Sequence, residues 1–455
     1  MARKITANRR DFIKTTAGVS TFTVLSSSIL HGANAPSEQF RFAQVGCGGK
    51  GSSDLKYTVG SGAKLAAMCD VDKKSAKRHL KKYGDKVPFY SDYRVMFDKH
   101  EKEFDGVVIS TPDHTHACIA LEAIKRGKHV YVQKPLARTF QECEVLLAAA
   151  KKHKVVTQMG NQGHAGNGLK LWQKMMDDKA FGDIQHVNSW SNRPIWPQGM
   201  TKAPNPTTAP DHLSWDQWIG PVAEREYCKE YLPFSWRGWW DFGCGAMGDM
   251  AVHNLDPAFW ILQLGLPKKI KAQASAPATV AYPKWSIIDY TFESKVTGKE
   301  VTVTWYDGKK LPKMPDGCNP SLKPGGNGCM VIGSKMAAMG GSHAARPLPI
   351  SITGKEYSKD GVKAAEKYWR DESKKLKSDN HHKQWVDAAK AGDLKACGSK
   401  FEYSVPFVQS LLLGCIALRF PGEELIWDDN KKQFNHSDAN KWLSFQPRKG
   451  YSLTL

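Results

Sequence analysis

Between Phe40 and Met159, short apolar and β-branched runs alternate with longer amphipathic stretches, the pattern of βαβ units feeding a parallel sheet. The spacing predicts strands over Phe40 to Val45, Lys64 to Cys69, Gly106 to Ser110, His129 to Val132 and Val155 to Met159. Helices are expected between them, at Ser75 to Tyr83, His114 to Arg126 and Phe140 to Lys152. Each strand is short and almost wholly apolar, as strands covered on both faces are.

From Asp183 onward the pattern changes. A strand is predicted over Ile184 to Trp190, then a Pro- and Trp-rich stretch to about Trp240, then a helix from Met247 to Leu264. Later segments alternate apolar and polar residues, most clearly Val301 to Trp305, as half-buried antiparallel strands do. The Gly, Pro and Lys-rich stretch from Asp307 to Asn327 is expected to lie outside the core, and helices are expected at His381 to Ala391 and Pro406 to Arg419. The fold class is α/β: an N-terminal Rossmann dinucleotide-binding domain over 36–160, and an α+β domain with an open, mainly antiparallel sheet over 161–455.

Charge complicates this picture. The 455 residues carry 65 Lys and Arg against 45 Asp and Glu, a net +20 that raises nucleic acid or acidic glycans as partners. Part of the excess lies in residues 1–35, where Asn8-Arg9-Arg10-Asp11-Phe12 resembles a twin-arginine export signal, followed by an apolar run and the small-residue site Ala33-Asn34-Ala35. Cleavage after Ala35 and delivery to the periplasm or cell envelope are expected, leaving about +16 on the mature chain. The remaining basic residues, such as those from Lys73 to Lys82, are spread over several helices rather than gathered in one stripe beside stacking aromatics. That distribution argues against nucleic acid. No stretch approaches the roughly 18 apolar residues of a membrane span.

The ten cysteines contain no CxxC pair, so a zinc site is not expected. Cys47, Cys69, Cys118 and Cys143 read as small buried apolar residues. Cys318 and Cys329 flank a loop, and whether they pair is left open by their spacing.

The first predicted strand runs into Gly46-Cys47-Gly48-Gly49-Lys50-Gly51 ahead of a helix, the arrangement in which glycines allow a pyrophosphate to approach a helix N-terminus. Gly46, Gly48 and Gly51 are the glycines of that pattern. Asp70 follows at the end of the second strand, where a carboxylate accepts hydrogen bonds from ribose hydroxyls. NAD is therefore expected rather than NADP, although Lys73 and Lys74 stand close enough to leave a 2′-phosphate open. Asp70 or Asp72 capping the next helix is the competing role.

Three further motifs complete a set: Thr111-Pro112-Asp113-His114-Thr115-His116, Gln133-Lys134-Pro135, and Gly248-Asp249-Met250-Ala251-Val252-His253. With the glycine loop, in this order, the chain from about Phe40 to Pro421 resembles the glucose-fructose oxidoreductase and inositol dehydrogenase (Gfo/Idh/MocA) family. The resemblance implies a nicotinamide cofactor bound between a Rossmann domain and a sheet domain that supports sugar binding and oligomer contacts. It implies Lys134 near the nicotinamide, Asp249 and His253 as the family's acid-base pair, and Thr111, Pro112 and His116 lining the cofactor crevice. The family usually carries Glu before the lysine; Gln133 leaves the local charge open.

The same roles follow from spacing. Asp249 and His253 are four apart, so on a helix the carboxylate can orient the imidazole and raise its basicity. Such a histidine can take a hydroxyl proton while Lys134 stabilises the alkoxide. Asn161 and Gln162, after the last Rossmann strand, are expected to donate to cofactor or sugar, and metal ligation by His114 and His116 is not expected. Eight of 15 Trp fall between Trp190 and Trp260. Sugar C–H faces stack on such rings, so Arg193, Trp196, Arg237, Trp239 and Trp240 are the expected carbohydrate contacts.

The expected function is an exported NAD(P)-dependent oxidoreductase of a sugar, glycoside or polyol, with a cofactor that travels tightly bound. The alternatives are an NAD-dependent glycosidase using transient oxidation and a glycan-binding relative without turnover. The open sheet face predicts a homo-oligomer, a dimer or tetramer.

Overall fold

A computed structural model describes residues 39–276, 279–352 and 359–455. The export motif and its cleavage site lie outside the described residues.

The first sheet contains β1 (Arg41–Val45), β2 (Lys64–Cys69), β3 (Phe89–Tyr90), β4 (Gly106–Ile109), β5 (His129–Val132) and β6 (Thr157–Met159). Their order is β3-β2-β1-β4-β5-β6, and every pairing is parallel. All four residues of β4 are buried, as its unbroken Gly-Val-Val-Ile run requires. The chain leaves β1 towards β2 on one side and returns to β4 on the other. The loops after β1 and β4 therefore diverge, and a crevice opens at their carboxyl ends. Helices α1 (Gly49–Gly60), α2 (Lys73–Tyr83), α3 (Tyr93–His100), α4 (Asp113–Lys125) and α5 (Phe140–His153) make the crossovers. Asp72 caps α2 through the Lys74 N–H, and Thr139 with Glu142 forms a capping box on α5, so both helices start where the sequence changes character.

The second sheet joins β7 (Ile184–Ser191), β8 (Lys269–Ala274), β9 (Ser286–Glu293), β10 (Glu300–Tyr306), β11 (Asn327–Gly333), β12 (Met336–Gly340), β13 (Leu348–Ile352), β14 (Glu424–Asp428) and β15 (Gln433–Phe434). Their order is β13-β12-β11-β7-β10-β9-β8-β14-β15, with β7 and β10 parallel and the other pairs antiparallel. Along β9, Ile288, Tyr290 and Phe292 are buried while Ile287, Asp289 and Thr291 are half-exposed, the alternation of a sheet with one covered face. The helix Phe401–Ala417 packs on that face and also reaches α5 and β6. It is buried along nearly its whole length, which is why its apolar residues run all round. It begins five residues before the expected start and carries Pro406 inside.

Two expectations are corrected, and one open question is answered. The helix from Met247 to Leu264 is broken into a π-turn (Met247–Ala251), a short turn (Val252–Asn254) and a helix (Asp256–Leu262). The stretch from Asp307 to Asn327 is not excluded from cores: Met314, Cys318 and Leu322 pack with Trp190, Met330, Ala337 and Ile350 in a small apolar cluster. Cys318 and Cys329 do not pair, because Cys318 joins that cluster while Cys329 belongs to the main core, and strand alternation sends Cys329 and Met330 to opposite faces. All ten cysteines are free and buried. Among the described residues no helix is long and apolar enough to cross a membrane.

Candidate active site

The crevice is the mouth of a cleft of about 980 Å³ that runs from the glycine loop to the π-turn. At one end Gly46 has φ +83°, and a Cβ there would meet the Ser110 carbonyl oxygen at 2.5 Å. A Cβ on Gly51 would lie 2.0 Å from the Gly46 carbonyl oxygen, so Gly51 fixes how closely α1 approaches the loop rather than lining the cleft. Gly48 is the N-cap of α1 and supplies no side-chain acceptor, and no acidic residue stands in the first turn. The helix N-terminus is thus left for an anion, beside Gly46, Gly48, Gly49 and Lys50 in the cleft wall.

Asp70 stands at the end of β2, as expected. Its Oδ2 accepts from the Cys47 and Gly48 N–H groups at 2.7 and 3.2 Å, and its Oδ1 from the Asp72 N–H at 2.9 Å. Burial raises its pKa, and these backbone donors offset part of that effect. Asp72, not Asp70, is the helix cap. The uncapped first turn of α1, followed by the Asp70 and Asp72 carboxylates at the β2 terminus, fits the pyrophosphate and ribose of a dinucleotide.

At the other end Lys134 Nζ donates to Asp249 twice, to Oδ1 and to the backbone carbonyl, both at 2.9 Å. Arg237 Nε lies 3.2 Å from Asp249 Oδ1 and Arg193 Nε 3.4 Å from Oδ2. Burial works to raise the Asp249 carboxyl, but Lys134, Arg237 and Arg193 outweigh it and hold the pKa below the ordinary value. No hydrogen bond joins Asp249 to His253 among the described residues. The expected carboxylate–imidazole pair is therefore corrected: three cations compete for the carboxylate, and a neutral ring loses to them. His253 is 4% exposed, its Nδ1 is buried without a partner, and its ring stacks on His343 at 4.0 Å. Burial first, then Lys134, drives its pKa well below the usual histidine value, the opposite of the rise expected from an Asp249 partner.

The family model described as "Oxidoreductase family, NAD-binding Rossmann fold" matches residues 40–161, and that described as "Oxidoreductase family, C-terminal alpha/beta domain" matches residues 183–305, together more than half of the chain. The chain belongs to the Gfo/Idh/MocA oxidoreductase family. It is 29% identical over 141 residues to inositol 2-dehydrogenase of Salmonella typhimurium, covering 30% of this chain and 41% of that one. Levoglucosan dehydrogenase of Pseudarthrobacter phenanthrenivorans is 29% identical over 173 residues, 38% of this chain and 36% of that one. The matches thus span about two-fifths of these relatives' length. The WlbA dehydrogenase of Chromobacterium violaceum, solved with NADH and UDP-GlcNAcA, superposes with a TM-score of 0.59 at 17% identity, over 88% of this chain and 99% of that chain. That likeness is one of fold.

Other expected Gfo/Idh/MocA positions divide. Thr111, Pro112 and Gln162 line the cleft. His116 does not: it is fully buried, with its two ring nitrogens 2.8 Å from the Pro135 and Thr111 carbonyl oxygens, where it ties the two loops together. His114 is spent in the same way on the Phe242 and Trp218 carbonyls. Asn161 is also fully buried, its Oδ1 accepting from Ser399 Oγ, and it does not face the cleft. Of the expected sugar contacts, Arg193 and Arg237 line the cleft. Trp196, Trp239 and Trp240 do not. Trp196 Nε1 donates to Gln198, Trp239 joins a buried aromatic cluster, and Trp240 packs on Tyr282 at 3.7 Å. Trp218, Trp236 and Phe234 take their place in the cleft wall.

Sequence reasoning also missed His343, Lys50 and Asp113. His343 enters from a distant turn, with no motif to signal it. Asp113 stood inside the recognised Thr-Pro motif; fully enclosed, its carboxyl accepts from the Cys244 N–H at 3.0 Å, and burial raises its pKa to about 6.

Proposed function

We propose that the protein is an exported NAD-dependent dehydrogenase of a sugar, glycoside or polyol. The observation that carries this reading is the convergence of Lys134, Arg193 and Arg237 on Asp249 beside an unpartnered His253, in the same cleft as the glycine loop. Inositol 2-dehydrogenase and levoglucosan dehydrogenase support the substrate class by similarity.

The nicotinamide, when bound, supplies the hydride acceptor. His253 is neutral at neutral pH, because burial and Lys134 disfavour its charged form, and it takes the hydroxyl proton. Lys134 spends two donors on Asp249 and has a third for the substrate oxygen. Asp249 positions Lys134 and both arginines. Three cations around the Asp249 carboxylate leave the site net positive, and the largely buried Lys134 there stabilises a developing alkoxide.

Asp70 and Asp72 disfavour a 2′-phosphate and favour NAD over NADP. Retention of the cofactor is supported by a strap across the adenosine end: the Lys73 N–H donates to the His212 carbonyl, the Ser214 N–H to the Val71 carbonyl, and His212 Nδ1 lies 2.9 Å from Asp72. Export rests on Arg9, Arg10 and the small-residue site.

The test is intact mass measurement of the purified protein, followed by a sugar panel read by nicotinamide absorbance. Net NADH formation is expected. Free sugar released from a glycoside without net reduction would make the protein a glycosidase, and no nicotinamide binding would make it a glycan-binding relative.

A further inference from the structure

Outside the cleft, a cavity of about 280 Å³ lies between the helix Phe401–Ala417, the segment around Trp240 and the stretch from Lys441 to Gln446. Its lining contains Arg138, Arg225, Arg419 and Lys441 but a single acid, Asp241. That acid is taken: Asp241 lies 2.8 Å from Arg225. Lys441 pairs with Asp438 at 2.6 Å.

Neither the Arg138 nor the Arg419 guanidinium forms an ion pair among the described residues, although the buried Glu142 carboxylate attracts Arg138 and Asp241 attracts Arg419. Rings hold them instead. The Arg419 guanidinium lies 3.5 Å from the Trp442 ring centroid and 3.9 Å from that of Trp240, and Arg138 lies over Phe445 at 4.4 Å. Arg138 makes one long contact, Nη1 to the Trp240 carbonyl at 3.3 Å, and its Nε is buried without a partner. Ring stacking occupies the face of a guanidinium and leaves its in-plane N–H donors free. Two such groups face each other across a cavity whose one lining acid is already paired with Arg225, which leaves their in-plane donors for an anion; burial draws Arg419 down to about 10 against the attraction of Asp241.

We propose that this cavity binds a small molecule bearing an oxyanion, no larger than a single sugar ring, between the Arg138 and Arg419 guanidiniums. Forked donors match carboxylate, phosphate or sulfate oxygens, and the Trp240, Trp442 and Phe445 rings give an apolar flank to a ring-bearing ligand. The site is separate from the dehydrogenase cleft, and the proposal stands whatever that cleft oxidises.

Calorimetric titration of the full NAD-saturated chain tests it, with glucuronate and inorganic phosphate as probes and glucose as the neutral control. Saturable binding of at least one anion is expected, and any glucose binding belongs to the cleft and is unchanged in Arg419→Gln. Arg419→Gln and Arg138→Gln should each weaken it about tenfold or more, while Arg237→Gln, which alters only the cleft, leaves it unchanged. Arg419→Lys keeps the charge without the fork and should also weaken binding, which covers an Arg419→Gln that fails to fold. Phosphate binding as tightly as glucuronate assigns a free oxyanion; tighter glucuronate assigns a sugar acid. Absence of anion binding, full affinity in both arginine variants, or loss in Arg237→Gln would overturn the proposal.

Discussion

Gln133 Nε2 donates to Asp54 Oδ2 at 2.9 Å, across the boundary between β5 and α1. Asp54 is fully buried and also meets Ser110 Oγ at 2.8 Å, His382 Nε2 at 3.1 Å and the Lys50 ammonium. Burial works against its charge, but His382 and Lys50 outweigh that and hold its pKa below the ordinary value. A buried carboxylate on the facing helix thus stands opposite the position before the lysine. Gln133 is the residue that can face it without repulsion.

Restoring the acid should therefore harm the protein. In Gln133→Glu two carboxylates share one buried site, so one is forced to a raised pKa. An acid with a raised folded pKa loses stability as pH climbs above its unfolded value. The variant should match the native protein near pH 4 and fall about 3 kcal/mol behind it by pH 7. Thermal unfolding across that range measures this; a constant difference at every pH would refute the account.

Asp113 gives a second pH dependence. Its carboxyl is raised from the usual 3.8 to about 6 by burial, so its ionisation costs stability progressively as pH rises through this window. Asp113→Asn keeps an acceptor for the Cys244 N–H and removes the titration. It should gain stability over the native chain above pH 6, by up to about 3 kcal/mol, and none near pH 3. Urea titrations at pH 4 and pH 8 decide it.

At the reacting end, Lys134→Ala should lower kcat by about 10² to 10³ on any sugar the native protein oxidises. NADH affinity, read by fluorescence, should change little. His253→Ala should cost about 10² to 10⁴ and remove the general-base limb of the pH profile. Undiminished turnover in either variant would remove that residue from the mechanism.

Cofactor choice rests on Asp70. Asp70→Ser should weaken NADH binding about tenfold and narrow the preference against NADPH. Fluorescence titration of both cofactors is the measurement, and tighter NADPH binding by the native protein would contradict the assignment.

The register of residues along the chain determined the βα alternation, because strands buried on both faces must be short and apolar and helices between them must be amphipathic. β2, β5 and the helix His381–Ala391 lie where the periodicity puts them. It also located the glycine loop, Asp70, Lys134 and His253, whose chemistry is tied to strand ends and short motifs. Tertiary structure decided the partners. Asp249 and His253 share a motif, yet Lys134, Arg193 and Arg237 arrive from three other segments and claim the carboxylate. Trp239 and Trp240 carry the composition of a sugar site but are packed away, while Trp218 and Trp236 face the cleft. Sequence spacing ranks contacts along one element. Burial and competition among charges from distant elements arise only when the chain has folded.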